Sequence, residues 1–180
     1  MYSNSSDNFQ QDNQDSVHKF DKEMKLRAPL TNRQFRTVQN RDFLRFCKGL
    51  VDEIGEKKAI KLIKEIVSKG SYTTGQRGSK ATGKKSLTSF SSYFKGPVFL
   101  DTLTMEIVED TDKIFEINVT ECLAYEICKT EKADGELGNA CICHGDYAMA
   151  EGYNPKMKLF RDKTLMQGHG YCNHRYVLEG

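Results

Sequence analysis

No window of this sequence approaches the ~18 consecutive apolar residues that a membrane-spanning helix needs, so no span is expected. The N-terminal stretch MYSNSSDNFQQDNQDS lacks the basic and apolar blocks of a signal peptide, which makes the cytoplasm the expected location. Nor is there an excess of one charge. The 27 basic residues stand against 25 acidic ones, a net +2, which leaves no broad field to draw in nucleic acid or an anionic membrane. The densest basic stretch, GQRGSKATGKKSL (75–87), holds no aromatic on which a base could stack, and it reads as a solvated loop. Internal repeats are absent too, and 180 residues have room for one ordinary domain. The expected partner is therefore a small-molecule substrate, with no cofactor, and self-association of the chain is left open.

What is present divides into a tail and a domain. Residues 1–37 are rich in Ser, Asn, Gln and Asp, a composition that cannot bury enough surface to offset the entropy of ordering, and a disordered tail is expected there. From residue 38 a single domain is expected to run to 180. Asn40 is a plausible N-cap for a helix carrying Phe43, Leu44, Cys47, Leu50, Val51 and Ile54, which Gly55 ends. A second helix carries Ala59, Ile60, Ile63, Ile66 and Val67 and stops at Gly70. A short helix follows over 87–96, closed by Pro97. The period then changes to two through Leu103, Met105 and Ile107, and again through Phe115, Ile117 and Val119, which reads as a hairpin. Thr120 is placed to cap a helix with Glu121 in its first turn. CICHGDYAMAEG is helical to Gly152, Asn154-Pro155 is a turn, and KMKLFR, KTLMQG and CNHRYVL read as strands. The expected fold class is α+β: N-terminal helices packed on a mainly antiparallel sheet, with a helical excursion between strands.

In the reducing cytoplasm, six cysteines are more often free thiols, metal ligands or catalytic groups than disulfides. Cys122 sits between a strand and a helix, where backbone N–H groups lower a thiol pKa; equally, it could be a small buried hydrophobe. On a helix Cys143 shares a face with Asp146 and with Tyr147, and Asp146 is costly to bury there without a partner. Gly145 would be explained by close approach of another backbone or a ligand. On a terminal strand Cys172, His174 and Tyr176 share one face, so an imidazole can stand near a thiol, with His169 in the glycine turn as a second candidate. Zinc is the other reading of Cys141, Cys143, His144, His169, Cys172 and His174. However, the C-x-C-H and C-x-H spacings are not paired C-x-x-C knuckles, and on one helix Cys141 and Cys143 point ~200° apart.

The ordered series TECLAYEIC, CICHGDYAMAEGYNPKMKLFRDKTLMQG and GYCNHRY resembles the L-2-amino-thiazoline-4-carboxylic acid hydrolase family, well over 113–176 and more loosely from about residue 40. The resemblance implies hydrolytic opening of a cyclic amidine or thiazoline ring to an N-carbamoyl amino acid. It places Cys122, Asp146 and Cys172 in the polar core and Asn154 and Pro155 in a shaping turn. Gly168-His169-Gly170-Tyr171-Cys172 stands where the family carries Gly-Asp-x-x-Cys, and His174 where it often has an aromatic. The expected catalytic set is Cys172 as nucleophile, with Cys122 as alternative, Asp146 as proton carrier, and His174 or His169 as activating base. Arg161 or Arg175 is expected to clamp a substrate carboxylate, with Asn154 and Tyr147 also touching substrate. The competing expectation is a non-catalytic small-ligand or zinc-binding module built from the same cysteines and histidines.

Overall fold

Alternating apolar residues in the second half of the chain build the sheet on which everything else rests. The computed structural model describes residues 30–180, so most of the tail expected to be disordered over 1–37 lies outside the described residues, while residues 32–37 are helical and not disordered. Strands β1 (Leu103–Asp110) and β2 (Ile114–Cys122) form the expected hairpin, and β3 (Met157–Phe160) and β4 (Cys172–Leu178) complete an antiparallel sheet in the order β1-β2-β4-β3. The β2–β4 register sets Ile117 opposite His174 and Val119 opposite Cys172. One face of these central strands is buried, through Phe115, Ile117, Val119, Cys172, His174 and Tyr176. The fold class is α+β, as the alternation implied.

The described residues form seven α-helices, in chain order α1 (Asn32–Ile54), α2 (Glu56–Thr82), α3 (Leu87–Phe94), α4 (Pro97–Leu100), α5 (Leu123–Thr130), α6 (Glu136–Gly138) and α7 (Gly145–Tyr153). A wide π turn over Asn139–Cys143 leads into α7, closed by the His144 N–H donating to the Asn139 carbonyl at 2.8 Å. One apolar core lies between the sheet and α3 and α7, around Phe90, Phe94, Phe115, Tyr153 and Tyr176. A second joins α1, α2, α5 and the π turn through Leu44, Cys47, Ile60, Ile63, Cys128 and Cys141.

Several boundaries differ from the sequence expectation, each for a local reason. Helix α1 starts at Asn32 rather than at Asn40. Its first turn is tied down by Asn32 Nδ2 donating to the Val98 carbonyl at 3.1 Å and by Arg33 Nη1 donating to the Asp101 carbonyl at 2.6 Å. Helix α2 runs through Gly70 to Thr82, so most of the basic stretch expected as a loop is helical, and Gly83 caps it in the left-handed conformation. Its glycines serve contact instead. A Cβ on Gly75 would overlap the Met149 carbonyl of α7, and one on Gly152 would overlap the Tyr72 carbonyl of α2. Gly145 meets the Ser71 side chain in the same way, which is the close approach its presence in a helix called for.

Strand β2 continues through Thr120 and Glu121, so neither begins a helix; Cys122 occupies the N-cap position of α5, and Glu126 supplies the acid in its first turn. Helix α7 passes Gly152 and ends at Tyr153. KTLMQG is not a strand: Thr164 Oγ1 accepts from the Gln167 N–H at 3.1 Å and caps a 3-10 turn over Leu165–Gln167.

Candidate functional site

The inward face of β4 and the first turn of α7 meet at a cavity of about 480 Å³. Cys122, from the end of β2, and Cys172 and His174, from β4, line it together with Cys143, Asp146 and Arg161. The three residues that the family resemblance placed in one polar core, Cys122, Asp146 and Cys172, thus share one cavity although they are distant in sequence. Most of the remaining wall is apolar, contributed by α3, α4, β1, β2, α5 and α7.

Arg161 organises the polar end. Its side chain is only 2% exposed. Nη1 donates to Asp146 Oδ2 at 2.6 Å and lies 2.9 Å from His174 Nε2, while Nη2 donates to the Cys143 carbonyl at 2.8 Å. The same His174 Nε2 lies 3.7 Å from Asp146 Oδ2, so guanidinium, imidazole and carboxylate form one cluster. Burial by itself would raise the Asp146 pKa, but the adjacent His174 and the Arg161 charge outweigh it and hold the carboxyl below its ordinary 3.8. The paired carboxylate keeps Arg161 charged in turn. Two buried nitrogens of this cluster, Arg161 Nε and His174 Nδ1, have no hydrogen-bond partner among the described residues, a costly arrangement that calls for an explanation.

The sulfurs are held as thiols. Burial pushes the Cys172 thiol up, and neither the Leu165 N–H that donates to Sγ at 3.1 Å nor the Arg161 charge compensates. At Cys122 burial again prevails over the N–H groups of Tyr125 and Ala124 at the start of α5. Cys143 is raised further, by burial and then by the Asp146 charge. His174 turns its Nε2 to Arg161, and no hydrogen bond joins it to Cys172 among the described residues.

Four expected site residues lie elsewhere. Arg175 points to the opposite face of the sheet, where it pairs with Glu116 and Glu109, because β4 alternates and Arg175 is one step from His174. His169 closes its own turn, its Nδ1 accepting from the Thr164 N–H at 3.2 Å. Asn154 is a structural latch: Nδ2 donates to the Lys85 carbonyl at 2.8 Å and Oδ1 accepts from the Lys156 N–H at 2.9 Å. Tyr147 is outside the cavity wall, with its ring 5.1 Å from the Arg161 guanidinium and its hydroxyl donating to the Arg161 carbonyl. Arg161 is at the site but occupied by Asp146 rather than left as an open clamp. For zinc, no three His, Cys, Asp or Glu side chains among the described residues converge to hold a metal ion. No helix of the described residues is long and apolar enough to cross a membrane.

Sequence reasoning did not supply the cavity's apolar wall, including the stacked Phe94–Phe99 pair with ring centroids 4.7 Å apart, nor the Cys143 carbonyl as a partner of Arg161. The π turn that leads into α7 has no signature in the residue pattern.

Comparison with known proteins places these features. The model of the family described as L-2-amino-thiazoline-4-carboxylic acid hydrolase matches residues 36–176. No curated protein sequence matches the chain. Among solved structures, the chain is similar to the phenol-responsive sensory domain of the transcription activator PoxR, with a TM-score of 0.51 and 12% identity over 77% of this chain and 74% of that one. A trafficking protein particle complex subunit 3 from Naegleria fowleri, covalently bound to palmitic acid, gives a TM-score of 0.49 and 11% identity over 79% of this chain and 96% of that one. At such identities the first likeness is one of fold alone, and the second carries no argument.

Proposed function

Because the chain belongs to the L-2-amino-thiazoline-4-carboxylic acid hydrolase family, we propose that its cavity opens a cyclic amidine by hydrolysis, yielding an N-carbamoyl product. The observation that carries this reading is Asp146, an ionised carboxylate inside a mostly apolar cavity, with one oxygen fixed by Arg161. A protonated amidine offers N–H donors and a positive charge to such a carboxylate, and the pairing gains strength where water is scarce.

Chemistry then falls to a thiol in the same cavity. Cys172 is the nucleophile of choice and Cys122 the alternative, both lining the space that an amidine on Asp146 would occupy. A resting thiol suits an exchange in which the sulfur–carbon bond to the enzyme forms as the ring carbon–sulfur bond breaks. The thiol proton passes to the departing ring sulfur. Water then adds to the amidinium carbon, the enzyme sulfur leaves and recovers a proton, and one further proton is released. Asp146 remains charged throughout and orients the carbon; His174, bonded to Arg161, positions rather than abstracts.

Incubation with 2-aminothiazoline-4-carboxylate and related cyclic amidines, followed by mass spectrometry, tests the reading. N-carbamoyl product is expected from the wild type, at least ~100-fold less from Asp146→Asn, and none above background from Cys172→Ala. Absence of turnover with every cyclic amidine overturns it. The raised thiol pKa values favour a second reading, a ligand-binding module without turnover. Tight binding with no product and no covalent adduct on either cysteine identifies it.

A further inference from the structure

The cavity is much larger than the ring it is proposed to open. Its 480 Å³ equals the liquid volume of about sixteen waters, whereas an aminothiazoline carboxylate has only about nine non-hydrogen atoms. Charge is unevenly spread along it. Asp146 and Arg161 form its charged part, their side chains 31% and 2% exposed, while exposed residues such as Arg36 and Val98 also line it. Much of the remaining wall is apolar, including Phe94, Phe99, Leu103, Val119, Leu123 and Met149. A small polar ring seated on Asp146 leaves that wall facing water, which forgoes the free energy of covering it.

We propose that the substrate class is amphiphilic: a cyclic amidine head seated on Asp146 and an alkyl or aryl tail that runs along the Phe94–Phe99 wall toward exposed Val98. This rests on the hydrolase reading for the head and adds the tail as the determinant of specificity. Both ends of the ligand are matched, the cationic head by a carboxylate and the tail by the apolar wall. Seating the head on Asp146 also keeps the reacting carbon in the cavity that Cys122 and Cys172 line.

A series of 2-aminothiazolines with ring-attached methyl, butyl and octyl chains tests this by isothermal calorimetry and by kcat/KM. Affinity is expected to tighten by about threefold per added methylene until the cavity is full, then to level off. An octyl thiazole lacking the amidine is expected to bind at least ~10-fold more weakly than the octyl aminothiazoline. Val98→Phe, a change at an exposed lining position beside Phe99, is expected to make the series level off at a shorter chain. A methyl compound that is bound and hydrolysed as well as the octyl one overturns the tail while leaving the hydrolase reading in place. Equal binding of the amidine-free thiazole overturns the seating of the head on Asp146. If no aminothiazoline of any length binds, the hydrolase reading fails and the proposal fails with it.

Discussion

Asp146 and Arg161 are a pair in which neither partner tolerates loss of the other. Arg161 is almost wholly buried, so Asp146→Asn leaves a cation without its counter-charge, and urea unfolding is expected to register a loss of about 3 kcal/mol. Adding Arg161→Met to that variant is expected to recover part of the loss, because the stranded charge goes with it. The pH dependence has a definite sign. The folded Asp146 pKa lies below its ordinary 3.8, so the advantage of the wild type over Asp146→Asn is full above that value and disappears as pH falls through the folded value. Unfolding curves of both proteins between pH 7 and pH 2 check this. The thiols make a further residue-scale prediction: with Cys172 and Cys122 both raised by burial, iodoacetamide is expected to alkylate them at least ~10-fold more slowly than free cysteine at neutral pH, accelerating only in alkali, as peptide mass mapping reads out.

At the scale of elements, helices α2 and α7 touch backbone to backbone. Gly75→Ala is expected to destabilise by several kcal/mol, since its Cβ would overlap the Met149 carbonyl and no side-chain adjustment relieves that. Gly78→Ala, one turn further along, meets only ordinary contacts with the Tyr153 and Tyr93 side chains. It is expected to be neutral or stabilising by up to ~1 kcal/mol, so thermal melts of the two variants should move apart. This interface also marks where sequence reading stops. Alternation in β1, β2 and β4 made the sheet legible, and with it the shared face of Cys172 and His174. Glycines in α2 read as stops because a single chain segment does not reveal that a second helix lies against it. Thr164 likewise gave no sign that its hydroxyl caps a 3-10 turn where a strand was expected. The partners of Arg161 were equally hidden, as they come from α7, the π turn and β4, and only the tertiary fold brings them to one guanidinium.

For the whole molecule, ligand binding and stability are linked. A cyclic amidine at ~100 times its dissociation constant stabilises the folded state by about 2.7 kcal/mol. A thermal shift of several degrees is therefore expected for the wild type and none for Asp146→Asn, measured by calorimetry at fixed ligand concentration. The core between the sheet, α3 and α7 bears on this, because the sheet and α7 supply the head of the site whereas α3 and α4 supply much of the wall. The glycine contacts between α2 and α7 give this division a direction. Those helices cannot drift apart to welcome a bulkier guest, nor draw closer around a slimmer one, so they serve as the fixed jaw of a caliper. Adaptation to a new guest would then be written in the opposing jaw, at Phe94, Val98 and Phe99, while the glycines stay unchanged.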